Sequence, residues 1–145
     1  MSTLLLLNGP NLGRLGLRQP EIYGSTTLAE VVAAVRERAK ARGWDVDDLQ
    51  SNHEGGLIDR LEQRDYDAIV INPGAFAHTS YALHDAIVSA ERPVVEIHVS
   101  NIRAREPWRS VSVIEPAVAG QVIGKGWQGY LEATDLAIDL AENHR

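Results

Sequence analysis

Tyr23 follows Arg18 by five positions, at the end of a long stretch, LNGPNLGRLGLRQPEIYG (7–24), built from glycine, proline and asparagine. The stretch has no helical or strand periodicity, and a long loop of that kind in a small protein is usually functional or disordered. A phenol ordinarily titrates near pH 10. Its use as a base near neutrality therefore requires about 4 kcal/mol of phenolate stabilisation, at roughly 1.36 kcal/mol per unit. A neighbouring guanidinium in a water-poor site supplies stabilisation of that kind, because it stays charged and favours an anion beside it. Packing of the tyrosine ring onto the body of the protein is the alternative open to Tyr23 at this spacing.

Three apolar runs deliver polar side chains where they end. TLLLL (3–7) runs into Asn8, DAIVI (67–71) into Asn72, and PVVEI (93–97) into His98. Asparagine and histidine can cap strand ends and satisfy loop backbone. Three such residues at one edge, beside a loop carrying Arg14, Arg18 and Tyr23, also suit binding of an anion and transfer of a proton.

The elements that must position these residues are legible from the pattern. Thr27-Leu-Ala-Glu30 is a capping box, and Leu28, Val31, Val32, Val35 and Ala39 form one helical stripe that stops near Gly43. WDVDDL (44–49) predicts a weaker strand, GLIDRLEQR (56–64) a short helix, and residues 79–90 a further helix. QVI (121–123) predicts a last strand and residues 128–142 a terminal helix. Continuous apolar strands separated by helices imply a parallel sheet covered on both faces. The expectation is a single α/β domain over residues 1–145, doubly wound and five-stranded, with its ligand site outside the carboxyl ends of the strands and residues 9–25 folding over it as a lid.

Composition removes several classes of function. The chain has no cysteine, so disulfides, thiolate metal sites and thiol nucleophiles are excluded. A net charge of −6 argues against nucleic acid, and no apolar run approaches the ~20 residues of a membrane span, so a cytoplasmic protein is expected. The glycines after the first strand lack the GxGxxG spacing, and there is no GK[ST], GxSxG or HExxH. A metal would need an accidental meeting of His78, Asp85 and His98, so no metal is expected. His53 and His84 are expected at the surface or an interface, Trp44, Trp108 and Trp127 in packing or an interface, and Arg36, Arg38 and Arg42 simply solvated.

The segments GPNLGRLGLRQPEIYG, INPGAFAHTSYALHDAI and VEIHVSNIRAREPWR together resemble the type II 3-dehydroquinate dehydratases, in order and spacing and over essentially the whole chain. The resemblance implies a flavodoxin-like fold and cofactor-free conversion of 3-dehydroquinate to 3-dehydroshikimate and water, by anti elimination through an enolate. It further implies that Tyr23 removes the C2 proton, Arg18 activates Tyr23, and His98 protonates the departing C1 hydroxyl. Asn11 would hold a water against the enolate, and Glu96 would orient His98. Asn72, His78, the backbone at Val99 and Ser100, and Arg109 match substrate-binding positions, with Arg105 a second arginine of the lid region. Asp85, seven residues after His78, falls on nearly the same helical face by spacing. The resemblance instead has the matching acid reach a neighbouring subunit within a dodecamer built from four trimers. Val99 stands where isoleucine or leucine is usual, and Phe76 where tyrosine is frequent.

Two rival readings remain. A non-catalytic module on the same fold would clamp a small carboxylate with the loop arginines. A Schiff-base dehydratase would need a reactive lysine, but Lys40 lies in a solvated helical stretch, Lys125 in a glycine-flanked turn, and the chain is short for a ~250-residue barrel. The resemblance implies a place either in the shikimate pathway of aromatic amino acid biosynthesis or in quinate breakdown, which share this step.

Overall fold

The computed structural model describes residues 1–144. Five strands, β1 (Ser2–Asn8), β2 (Trp44–Gln50), β3 (Ala68–Asn72), β4 (Val94–His98) and β5 (Gly120–Ile123), form one parallel sheet in the order β2-β1-β3-β4-β5. Among the described residues five α-helices accompany it: α1 (Pro20–Tyr23), α2 (Leu28–Lys40), α3 (Glu54–Glu62), α4 (Tyr81–Ala90) and α5 (Gly129–Asn143). The chain turns back on itself between β1 and β3, which opens a crevice at their carboxyl ends.

Consecutive leucines of β1 show why the sheet is covered on both faces. Successive strand residues point to opposite sides. Leu4 and Leu6 enter a core with Val31, Val35, Tyr130 and Ile138, whereas Leu5 and Leu7 enter a second core with Leu57, Leu61, Leu83 and Ile87. All four leucines are fully buried, each contributing about 1.5–3 kcal/mol relative to exposure. A run without alternation therefore serves two cores at once.

The capping box is present: the Thr27 hydroxyl accepts from Glu30 N–H, and the Glu30 carboxylate accepts from Thr27 N–H. Several expectations are corrected. The segment before α2 is not wholly irregular, since Pro20 starts the single turn α1, with Tyr23 its last residue. A proline is tolerated there because the first N–H of a helix has no intrahelical partner in any case. Helix α3 begins two residues earlier than its apolar stripe, at Glu54. Arg36, Arg38 and Arg42 are not simply solvated. Arg36 pairs with Asp48 of β2, Arg38 with Asp135, and Arg42 with Asp135, Asp139 and Glu142 of α5, so α2 and the turn after it are tied to their neighbours. Trp44 is buried, while Trp108 is half exposed. Among the described residues no helix is long and apolar enough to cross a membrane.

Candidate active site

Asn8, Asn72 and His98 are the last residues of β1, β3 and β4, and they stand side by side at the carboxyl edge of the sheet. The loop leaving Asn8 is pressed close to its neighbour. A side chain at Gly9 would meet the Pro73 carbonyl oxygen at 2.6 Å, so only glycine lets the two loops approach this way. The loop base is held by Gln50, whose amide donates to the Gly9 carbonyl at 3.0 Å, and by Asn52, whose oxygen accepts from Asn11 N–H at 3.0 Å. Asn11 has φ 68° and Gln19 φ 42°, left-handed conformations that cost energy for residues other than glycine and concentrate at functional sites. Leu12 and Leu15 are buried and anchor the segment, whereas Leu17 is exposed.

Beneath the segment lies a cavity of about 140 Å³. Tyr23, His98, Arg18, Asn11, Asn72, His78, Val99, Ser100, Arg105 and Arg109 line it, whereas Glu96, Asp85, Asn8 and Arg14 do not. Larger cavities, of about 660 and 620 Å³, lie at the opposite end of the sheet beside Asp67, Pro93 and His144, and between α3 and α4. Neither brings tyrosine, histidine and arginine together as the small one does.

Tyr23 stands between two guanidinium groups. Arg105 Nη1 donates to its hydroxyl at 2.7 Å, and Arg18 Nη2 stands at 3.5 Å. The carbon atoms of both guanidiniums also lie over the ring, 4.8 Å from its centroid for Arg18 and 5.2 Å for Arg105. Two guanidiniums thus flank one phenol, and Arg105 makes the closer contact. Arg105 also donates to the Ser100 hydroxyl at 3.2 Å, which ties its position to the end of β4.

His98 faces this pair from β4. Its Nε2 lies 2.6 Å from the Glu96 carboxylate, two residues back on the same face of the strand. Glu96 is fully buried. Burial alone would push its carboxyl up, but the contact with His98 and the hydrogen bonds from Gln121 and Ser112 outweigh it and hold the group below the usual carboxylate value. An ionised carboxylate only accepts, so Nε2 carries a hydrogen, and Nδ1 is the ring nitrogen left to carry a second proton into the chemistry. Gln121 reaches Glu96 at 2.9 Å from the register-matched position on β5, and Ser112 at 2.9 and 3.1 Å from the loop before it.

His78 stacks on His98, with centroids 6.3 Å apart, and its Nδ1 donates to the Val111 carbonyl at 2.7 Å. It ends a 3-10 turn (Gly74–His78) ahead of α4 rather than lying within the helix. The seven-residue spacing therefore does not bring it to Asp85, which is exposed, hydrogen-bonds His84, and lines the cavity between α3 and α4. Arg109 pairs with Glu106 and covers the Trp108 ring at 4.0 Å, while still lining the site. No lysine lines the cavity.

Fold and site together define a flavodoxin-like α/β protein whose sheet edge sets a tyrosine flanked by arginines against a carboxylate-backed histidine. The chain matches the family model for dehydroquinase class II over residues 2–138 and belongs to that family. It is 51% identical over 144 residues to the 3-dehydroquinate dehydratase of Anoxybacillus flavithermus, covering 98% of this chain and 97% of that one. It is 48% identical over 143 residues to a catabolic 3-dehydroquinase of Aspergillus clavatus, covering 97% and 95%. The crystal structure of a type II dehydroquinase from Butyrivibrio crossotus superposes with a TM-score of 0.92 at 41% identity, covering 94% of this chain and 97% of that one.

Gln50, Asn52, Ser112 and Gln121 were not singled out by sequence reasoning. Gln121 is the one with a usable signal, a polar residue opening a short apolar run, but its meaning depends on the β4–β5 register. Ser112 lies in a stretch with no periodicity.

Proposed function

We propose that this chain is a type II 3-dehydroquinate dehydratase, removing water from 3-dehydroquinate without metal or cofactor. The observation that carries the reading is the placement of Tyr23, flanked by Arg18 and Arg105, in one cavity with His98 and its buried carboxylate partner. The Tyr23 phenolate takes the proton from C2, beside the ketone, and the C–H electron pair becomes the enolate. A water held by Asn11 stabilises the enolate oxygen, as preorganised donors do for developing charge. The enolate then reforms the ketone as the C1–oxygen bond breaks, and His98 donates its Nδ1 proton to the leaving hydroxyl, which departs as water. Proton transfer from Tyr23 back to His98 through solvent restores both groups.

The substrate carboxylate is held by Asn72 and by the main chain at Val99 and Ser100, with His78 and Arg109 binding the ring hydroxyls. Residues 9–25 act as the lid. Asp85, placed away from its own cavity, reaches the site of a neighbouring subunit, and the working form is a dodecamer of four trimers in the cytoplasm. Both biosynthetic and catabolic enzymes occur among the relatives by name, and either role uses the same step.

The test is appearance of the conjugated enone absorbance when purified protein meets 3-dehydroquinate, with borohydride added to a parallel sample. Turnover that survives borohydride is expected. Absence of product leaves the carboxylate-binding module as the reading, and inactivation by borohydride in the presence of substrate overturns the enolate route in favour of a Schiff base.

A further inference from the structure

Tyr130 does not touch the cavity, yet one hydrogen bond joins it to a residue that lines it. It lies on α5, fully buried, where burial pushes its hydroxyl far up from the usual phenol value despite the hydrogen bond from Asn72. Burial thus favours the hydroxyl form of the group.

That hydroxyl accepts from Asn72 Nδ2 at 2.8 Å and donates to Asn8 Oδ1 at 2.7 Å. Asn72 Oδ1 in turn accepts from Gly74 N–H at 3.1 Å. The direction of the chain follows from its first donor. A backbone N–H cannot accept, so the side of the amide facing Gly74 is oxygen and the side facing Tyr130 is nitrogen. Having accepted there, the hydroxyl passes its single hydrogen to Asn8. Asn8 and Asn72 are register neighbours on β1 and β3, so the relay runs from the loop after β3 through α5 and back to the sheet.

Asn8 itself shows that the relay is not arranged for stability alone. Its Nδ2 is buried and has no hydrogen-bond partner among the described residues, and such a group costs stability. What Asn8 contributes is the oxygen that accepts from Tyr130. Asn72, for its part, spends one Nδ2 hydrogen on Tyr130 and keeps the second, on a side chain that lines the cavity. A freed amide can turn over and present oxygen to an anion, which repels it.

We propose that Tyr130 is a positioning residue: by holding Asn72 with its nitrogen turned from Gly74, and relying on Asn8 as acceptor, it keeps an N–H donor facing the substrate carboxylate. This rests on the proposed dehydratase reading, with Asn72 binding the carboxylate.

Tyr130→Phe keeps the buried ring and removes only the hydroxyl. The expected result is a KM for 3-dehydroquinate raised about tenfold, with kcat within about threefold and the pH profile of kcat unchanged. Asn72→Ala raises KM as well, and Tyr130→Phe adds nothing further in the Asn72→Ala background. An unchanged KM, or effects of the two substitutions that multiply independently, overturns the proposal. A purely structural tyrosine would lower thermal stability without coupling to Asn72. Calorimetric binding of quinate, which carries the carboxylate but lacks the ketone needed for an enolate, separates the two readings. If wild type binds quinate without turning over 3-dehydroquinate, the dehydratase reading fails while the Tyr130 effect on quinate Kd is still measured. Should Tyr130→Phe not fold, Asn8→Ala removes the acceptor instead and is expected to weaken quinate binding, and unaltered binding overturns the inference.

Discussion

Arg105 donates to the hydroxyl of Tyr23 at 2.7 Å, across 82 positions of sequence, while Arg18, only five positions away, stands at 3.5 Å. The residue that the sequence places beside the tyrosine is thus not the one in closest contact. Arg105→Gln keeps polar bulk and removes the charge. It is expected to lower kcat by about 10²–10³-fold, the usual scale for losing one donor to a developing charge. Steady-state kinetics of Arg105→Gln beside Arg18→Gln measures this. An Arg105 variant with unaltered kcat would leave Arg18 as the sole activator.

Glu96 sets an acid limit on stability. Its carboxyl is held below the usual value in the folded protein, so its contribution is present above the unfolded value of about 4.3 and is lost as pH falls through the lower folded value. Urea midpoints of wild type and Glu96→Gln should therefore differ by a constant amount above about pH 5 and converge in more acid solution. A difference that grows as pH falls would show the sign to be wrong.

Tyr130 sets the alkaline limit by the opposite displacement. Its raised folded value means that the unfolded chain ionises first. The contribution is complete below about pH 10 and is lost as pH rises above it. Tyr66, also pushed up by burial against the pull of nearby arginines, adds in the same direction. Tyr130→Phe should flatten the loss of stability between about pH 10 and 11.5 in thermal melts, leaving the part due to Tyr66.

Asp85 lies outside its own cavity, and its proposed place is a neighbour's site. Refolded mixtures of Asp85→Ala and Tyr23→Phe chains should then recover activity that neither parent has, because some interfaces pair an intact base with an intact acid. Activity that never exceeds the sum of the parents would place Asp85 elsewhere. Light scattering that finds an active monomer would contradict the oligomer itself.

Much of the fold was legible because its signals are local. The leucines of β1, the Thr27–Glu30 capping box and the stripe of α2 each depend on residues a turn or a strand apart. The polar residues at the strand ends were legible for the same reason. Pairings across the sheet were not: Gln121 with Glu96 needs the β4–β5 register, and Tyr130 with Asn8 spans 122 positions. The spacing of His78 and Asp85 misled because the chain passes from a 3-10 turn into α4 between them, which breaks the helical phase. Arg38 and Arg42 looked solvated because their acidic partners on α5 lie 93 to 100 positions away, and Arg36 because its partner Asp48 is met only through the packing of α2 on β2.

The central claim is that Tyr23 is the base, and kcat of Tyr23→Phe on 3-dehydroquinate tests it most directly. Loss of at least about 10³-fold is expected, since the substitution removes the proton acceptor altogether, with unchanged oligomer size and quinate affinity within about threefold. A variant that keeps more than about a tenth of wild-type kcat would mean that another group takes the C2 proton, and Tyr23 would revert to a residue that packs the loop against the sheet.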